Sequence, residues 1–289
     1  MIGVILILII IFLFLLFKSF FSFKLPIGTL TAITGGLGAY KTTTLTQAVI
    51  KFYRKSLLNY YLFRWNLGLL PSSKKKQYDK YGNVIYEYNI YDPYEVYTNY
   101  PVILKWSKNP KKIVYSNALT REHITCENAI KEHSIVGVDE GGTFFPFQNK
   151  RSNPDLIWDL TYFRHYTDSK MLLACQSLGN VDIAFRRVVN VVYNLSEGKK
   201  LPFRFYSVKV NKLYYNEDLN VVNTNNMNDY STLKMYGRHF KHKRFDSRYM
   251  SKFYKPTKVC DYKFTSLKLD PENEFYSKEK FKNMFYQGK

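Results

Sequence analysis

Residues 34–44 read TGGLGAYKTTT. Ahead of them, TLTAIT (29–34) is β-branched and apolar, the composition of a buried strand. After them, LTQAVIKFYRK (45–55) has the period of an amphipathic helix. Strand, glycine turn, Lys-Thr and helix, in that order, form the setting of a phosphate-binding loop. In such a loop the glycines let backbone N–H groups approach phosphates, and the helix N-terminus adds partial positive charge. The nucleotide-binding candidates are therefore Gly35, Gly36, Leu37, Gly38, Ala39, Tyr40, Lys41, Thr42 and Thr43. Lys41 is expected to bridge the β- and γ-phosphates of ATP, and Thr42 to offer its hydroxyl to Mg²⁺. Measured against G-x-x-x-x-G-K-[ST], Gly35 fills the first position and Lys41-Thr42 the last two. Tyr40 replaces the final glycine. The plain alternative is a glycine-rich turn at a strand end.

Later segments bear on that choice. In SIVGVDEGG (134–142) a short apolar strand ends in two acids, the form of a Walker B strand. Asp139 is placed in the Mg²⁺ shell, and Glu140 is placed to orient or deprotonate the attacking water. KMLLACQS (170–177) reads as another buried strand, ending in the polar Gln176, and sheets of this class carry functional residues at the C-terminal ends of their strands. VYTNYPV (96–102) and RRVVNVVYNL (186–195) read as strands, IVYSNALT (113–120) as strand or loop, and PDLIWDLTYFRHY (154–166) as helix. Strands alternating with helical stretches predict an α/β fold with a parallel sheet.

The N-terminus differs in kind. Residues 2–17, IGVILILIIIFLFLLF, hold no charged or polar side chain, and the apolar run continues past Lys18 to Lys24. About 20 apolar residues cross a bilayer core, so this run predicts a single transmembrane helix. A cleaved signal peptide would have a positive start and an Ala-x-Ala site, and the sequence has neither. Lys18 and Lys24 place the following chain on the cytoplasmic side, with the N-terminus out. The expected organisation is an anchor at 1–23, a P-loop domain at 24–200 with an insertion around 56–92, and a C-terminal part at 201–289. The insertion is expected to be a basic hairpin around Tyr81-Gly82-Asn83.

The chain has 289 residues, with 43 Lys plus Arg against 23 Asp plus Glu, a formal net charge of +20. That excess favours polyanionic partners, nucleic acid or an anionic membrane leaflet, although an AT-rich genome also enriches Lys, Tyr and Asn. Cys126, Cys175 and Cys260 lie far apart, with no CxxC pair, and read as free thiols in a reducing compartment. The C-terminal part is expected to open with a β-hairpin over 201–222, turning near Tyr215-Asn216-Glu217-Asp218. A basic stretch follows: residues 234–258 hold nine Lys or Arg and one acid, interleaved with aromatics. Basic residues attract a phosphate backbone and aromatics stack on unpaired bases, so single-stranded DNA is one expected contact and anionic lipid the other.

With these residues in view, the chain resembles the zonula occludens toxin (Zot) family, which includes the assembly ATPases of filamentous phages. The resemblance runs from about residue 29 to 195. It rests on the glycine loop with Lys41-Thr42, on Thr98-Asn99 closing a strand, and on Val138-Asp139-Glu140 followed by FFPF. It rests further on Arg164-His165 ahead of a strand, on Gln176, and on NVDIAFRRVVN. The resemblance implies a RecA-like P-loop ATPase core related to the HerA and FtsK DNA pumps. It also implies a role in virion assembly and export through the host membrane, with phage coat or assembly proteins as partners. Pumps of this class complete their sites with an arginine from a neighbouring subunit, for which Arg164, Arg186 and Arg187 are candidates, so a homo-oligomeric ring is implied. Two departures stand out: Tyr40, and a membrane span that precedes the ATPase domain where family members usually place it after. Two rival readings share these residues. One is a DNA translocase, which DNA would stimulate; the other is a non-hydrolysing membrane scaffold that binds DNA or coat protein through its basic tail.

Overall fold

The computed structural model describes residues 25–66, 71–79, 81–105, 112–119, 130–146, 168–201, 205–213 and 232–238, with a few single residues besides. Its centre is an eight-stranded sheet. Among the described residues the strands, in chain order, are β1 (Leu30–Gly35), β2 (Lys74–Tyr78), β3 (Val84–Asn89), β4 (Glu95–Thr98), β5 (Ile103–Lys105), β6 (Val114–Tyr115), β7 (Asn117–Ala118), β8 (Ser134–Val138), β9 (Lys170–Ala174), β10 (Val191–Lys200), β11 (Phe205–Leu213) and β12 (Thr232–Arg238). The sheet order is β12-β11-β10-β1-β9-β8-β4-β7. From β10 to β7 every pairing is parallel, and β11 and β12 add antiparallel at one edge. This mixed α/β arrangement with a mostly parallel centre fits the expected RecA-like fold.

The central strands read as unbroken apolar runs because both of their faces are covered. On one face Ile33, Ile135, Leu172 and Leu195 pack with Leu45, Ala48, Val49 and Ile50 of helix α1 (Lys41–Trp65). On the other, Leu30, Ala32, Val136, Val138 and Leu173 pack with Phe145, Leu160, Phe163 and Phe185. Phe145 follows α2 (Gly141–Phe144), and Phe185 belongs to α3 (Ile183–Val188). Gly137 lets α1 close on the sheet: a Cβ there would stand 3.0 Å from Val49 Cγ2 and 3.1 Å from Thr98 Cγ2.

Several expectations change in detail. Residues 186–195 are not one strand: Asp182 caps α3 by accepting from the Ala184 N–H at 2.7 Å, the helix takes in Arg186 and Arg187, and the strand begins at Val191. Helix α1 runs to Trp65, so the first ten residues assigned to the insertion are helix. The rest of that insertion contains a hairpin, β2 with β3, whose turn is held by Asp79 accepting from the N–H groups of Tyr81 and Asn83. Residues 205–213 do form a strand, but their described partners are β10 and β12, and the turn expected at Tyr215–Asp218 lies outside the described residues. Five residues assigned to the basic stretch, 234–238, belong to β12, so the eight-stranded sheet runs on beyond residue 200. In that stretch Phe245 forms a bridge with Val102, and the other residues lie outside the described set. Among the described residues no helix is long and apolar enough to cross a membrane. The run 2–17, expected to do so, lies outside them apart from Gly3.

Candidate functional site

The expected phosphate loop is formed at the C-terminal end of β1. Gly35 leaves the strand at φ 150°, and a Cβ there would lie 2.4 Å from the Leu195 carbonyl oxygen, so the position admits only glycine. Its N–H donates to the Gln176 carbonyl at 3.4 Å, which ties the loop to the end of β9. Gly36, Leu37 and Gly38 are exposed. Helix α1 then starts with no side-chain cap and no acid in its first turn. Its leading N–H groups and positive dipole end therefore face the loop without a built-in anion.

Tyr40 stands at the helix N-cap with φ 58° and ψ 28°, the left-handed conformation that explains why a glycine is usual there. Its ring stacks on Tyr206 of β11 with centroids 4.7 Å apart and planes 17° from parallel. Tyr206 is fully buried, and its hydroxyl lies 3.3 Å from Thr44 Oγ1 and 3.2 Å from Gln47 Oε1 of α1. Gly198 of β10 backs the same corner. A Cβ there would meet the Gly38 carbonyl oxygen at 2.6 Å and the Tyr40 ring at 2.8 Å. The tyrosine is therefore fixed by packing against strands far along the chain.

Lys41 Nζ donates to the Gly35 and Gly36 carbonyls, both at 2.8 Å, so its ammonium lies over the loop. Thr42 Oγ1 lies 2.9 and 3.1 Å from the two carboxylate oxygens of Asp139. The sheet makes that contact possible: β8 delivers Asp139 at the same end as the loop, with β9 lying between β8 and β1. Asp139 is 3% exposed. Burial pushes its pKa up to about 7, with the Glu140 charge adding to the rise, while the Thr42 hydrogen bond and the Lys41 charge oppose it. Asn99, at the end of β4, holds the Asp139 backbone from both sides. Its Nδ2 donates to the Asp139 carbonyl at 2.7 Å, and its Oδ1 accepts from the Asp139 N–H at 2.8 Å.

Glu140 has φ 52° and an exposed side chain, and its carbonyl opens α2 by accepting from the N–H groups of Thr143 and Phe144. Gly141 follows because a Cβ would come within 2.7 Å of three Leu173 side-chain carbons. Gln176 is exposed just beyond β9, the strand between the loop strand and the Asp-Glu strand. Burial pushes the thiol of its neighbour Cys175 up to about 12. The charges of Lys41 and Glu140 act on both Cys175 and Asp139, which places the four groups in one electrostatic neighbourhood.

Thr42, Asp139, Lys41 and Gln176 are thus gathered at one end of the sheet, with Ala39 and Thr43 buried beneath the loop. The arginines are not gathered with them. Arg186 is buried at 6% exposure in α3, Arg187 is exposed, and Arg164 lies outside the described residues. Asn99 and Tyr206 are absent from the site residues assigned from sequence. An Asn at the end of a strand was visible for the first, and nothing marked the second.

No family model matches the chain, and no curated protein matches it. Among solved structures, it is similar to the N-terminal domain of zonular occludens toxin from Neisseria meningitidis, the family whose motifs it resembles. That match covers 78% of this chain and 98% of the other, at 14% identity and a TM-score of 0.40. It is also similar to the genome packaging NTPase B204 from Sulfolobus turreted icosahedral virus 2, in complex with ATP-gammaS. There the match covers 64% of this chain and 92% of the other, at 8% identity and a TM-score of 0.32. At these scores neither likeness adds weight to the residues themselves.

Proposed function

We propose that the chain is a P-loop ATPase, anchored in a membrane through residues 2–17, whose hydrolysis of ATP drives filamentous virion assembly and export. The observation that carries the ATPase reading is the Thr42 hydroxyl set against both carboxylate oxygens of a buried Asp139, beside a lysine laid over a glycine loop. A glycine turn without nucleotide chemistry has no reason to bury a carboxylate at that point.

The donor set fits Mg²⁺. A hydroxyl and a carboxylate are hard oxygen ligands, and this ion commonly takes one or two carboxylates and completes its shell with water and phosphate. Thr42 and Asp139 would hold the ion, which supplies positive charge against the phosphates. Lys41 exchanges the two loop carbonyls for β- and γ-phosphate oxygens. The N–H groups of the loop and first helical turn bind the same oxygens. Glu140 orients the water and takes its proton, and Gln176 contacts the water or the γ-phosphate. Of the three candidate arginines, Arg186 is buried and Arg187 is exposed on α3, and Arg187 is assigned as the finger offered to a neighbouring subunit of a ring.

ATP hydrolysis by the full chain, beside Lys41→Ala and Glu140→Gln, tests this. Turnover is expected to fall at least about a hundredfold in both. Nucleotide binding is expected to survive in Glu140→Gln only. No turnover in the parent, with lipid and DNA supplied, moves the assignment to a membrane scaffold. Turnover that single-stranded DNA stimulates favours a translocase, the reading to which the nine Lys or Arg of residues 234–258 lend support.

A further inference from the structure

Helix α1 has 25 residues, about 37 Å at 1.5 Å per residue, and it overruns the sheet. The crossing point is visible in its contacts. The Tyr94 N–H donates to Ser56 Oγ at 3.1 Å, and the Phe63 ring stacks on Tyr91 at 4.5 Å. Tyr94 precedes the first residue of β4, so Ser56 already stands level with the edge where the parallel strands begin. The last two turns continue past that edge, on the side opposite the phosphate loop. They carry Leu58, Tyr61, Leu62 and Trp65, spaced as one helical face and exposed, Trp65 at 75% and Leu58 at 57%.

The same face changes character along its length. Nearer the sheet it bears Lys51, Arg54 and Lys55, exposed one to two turns ahead of the apolar set, and the whole helix contains no acid. On this face cations come first and aromatic and aliphatic groups farther out, while Arg64, off the face in the last turn, is exposed with its guanidinium over the Tyr60 ring; this is the order of a segment entering an anionic bilayer surface tip first. The chain enters the domain near this edge: Leu25 lies five residues before β1, within about 18 Å by chain reach. The β2–β3 hairpin docks at the same edge. Gln77 accepts from the Glu132 N–H two residues before β8, and Lys75 pairs with Asp168 two residues before β9. Tyr81 and Val84 at the tip of that hairpin are exposed.

We infer that the distal end of α1 is a second membrane contact. Leu58, Tyr61, Leu62 and Trp65 sit in the interface of the bilayer that holds residues 2–17, with Lys51, Arg54 and Lys55 at its anionic headgroups. This rests on the anchor proposed above. The occupant is lipid because the charge order suits headgroups and because the chain arrives from an apolar run of bilayer length.

The chain has three tryptophans, at 65, 106 and 158. The full chain carrying Trp106→Phe and Trp158→Phe is reconstituted into phosphatidylcholine–phosphatidylglycerol vesicles, plain or with acyl chains brominated. Trp65 emission is expected to shift to the blue and to fall at least twofold in brominated vesicles. Equal emission in the two vesicle types overturns the inference. A blue shift without bromine quenching also overturns it, since protein then covers the face. Alkaline carbonate extraction reads the anchor separately. An integrated chain with unquenched Trp65 keeps the anchor and loses the helix contact, and a stripped chain loses both. Where the double Phe variant has lost ATPase activity, the difference in emission between the parent and Trp65→Phe gives the same readout.

Discussion

Tyr40 combines a cost and a gain that substitutions separate. A non-glycine residue in the left-handed conformation costs about 1–2 kcal/mol, and an aromatic stack returns about 0.5–1.5 kcal/mol. Tyr40→Gly removes both and is expected to leave stability within about 1 kcal/mol of the parent. Tyr40→Ala keeps the cost and loses the stack with Tyr206, so its urea midpoint is expected to report a loss of about 1–2 kcal/mol. Gly above Ala is the expected order, and equal stability of the two variants would count against a left-handed cost at this N-cap. Asp139 gives a pH signature. Its pKa is raised when folded, so the folded chain holds the proton more tightly than the unfolded one. Its contribution is full below about pH 4 and is lost as pH rises through about 7. Without nucleotide, the parent is therefore expected to lose more stability between pH 6 and pH 8 than Asp139→Asn does, measured by urea unfolding at the two pH values. Cys175 is the third residue with a readable consequence. A thiol pushed up to about 12 by burial has almost no thiolate at pH 8, so iodoacetamide is expected to label it only after denaturant is added.

Among elements, β10 does more than extend the sheet. Its bulge between Ser196 and Lys199 brings Gly198 under the loop, where a Cβ would meet the Gly38 backbone at 2.6 Å. Gly198→Ala forces the Gly38 backbone and the Tyr40 ring to shift, and is expected to weaken nucleotide binding by about tenfold, 1.4 kcal/mol, as well as to lower the unfolding temperature, as read by titration calorimetry and a thermal melt. A change confined to the melt would count against the loop contact. This is also the scale at which the sequence stops being readable. β8 is legible because four apolar residues end abruptly in Asp139-Glu140, and β1 because TLTAIT runs straight into glycine. The pairing of Asn99 with Asp139 is not, because it needs β4 to lie parallel beside β8, which neither strand announces. The Tyr40–Tyr206 stack spans 166 positions and follows only from β11 joining β10. The length of α1 was hidden for a different reason. Its outer turns expose Leu58, Leu62 and Trp65, so the amphipathic period that marks its first half fades in its second.

For the whole molecule, the sheet separates two working ends. One carries the loop, Asp139, Glu140 and Gln176; the other carries the chain entry, the hairpin and the outer turns of α1. One continuous piece of backbone joins them, with Lys41 in its first turn and Trp65 in its last. Such a helix is a stiff connection between the loop at its start and the outer turns at its end. For scale, a tilt of about 5° would sweep the far end through roughly 3 Å, given a length near 37 Å. Under the ATPase reading proposed above, the reach of such a motion would scale with the length of this one helix, and trimming whole turns from its outer end would shorten it without touching the loop, Asp139, Glu140 or Gln176.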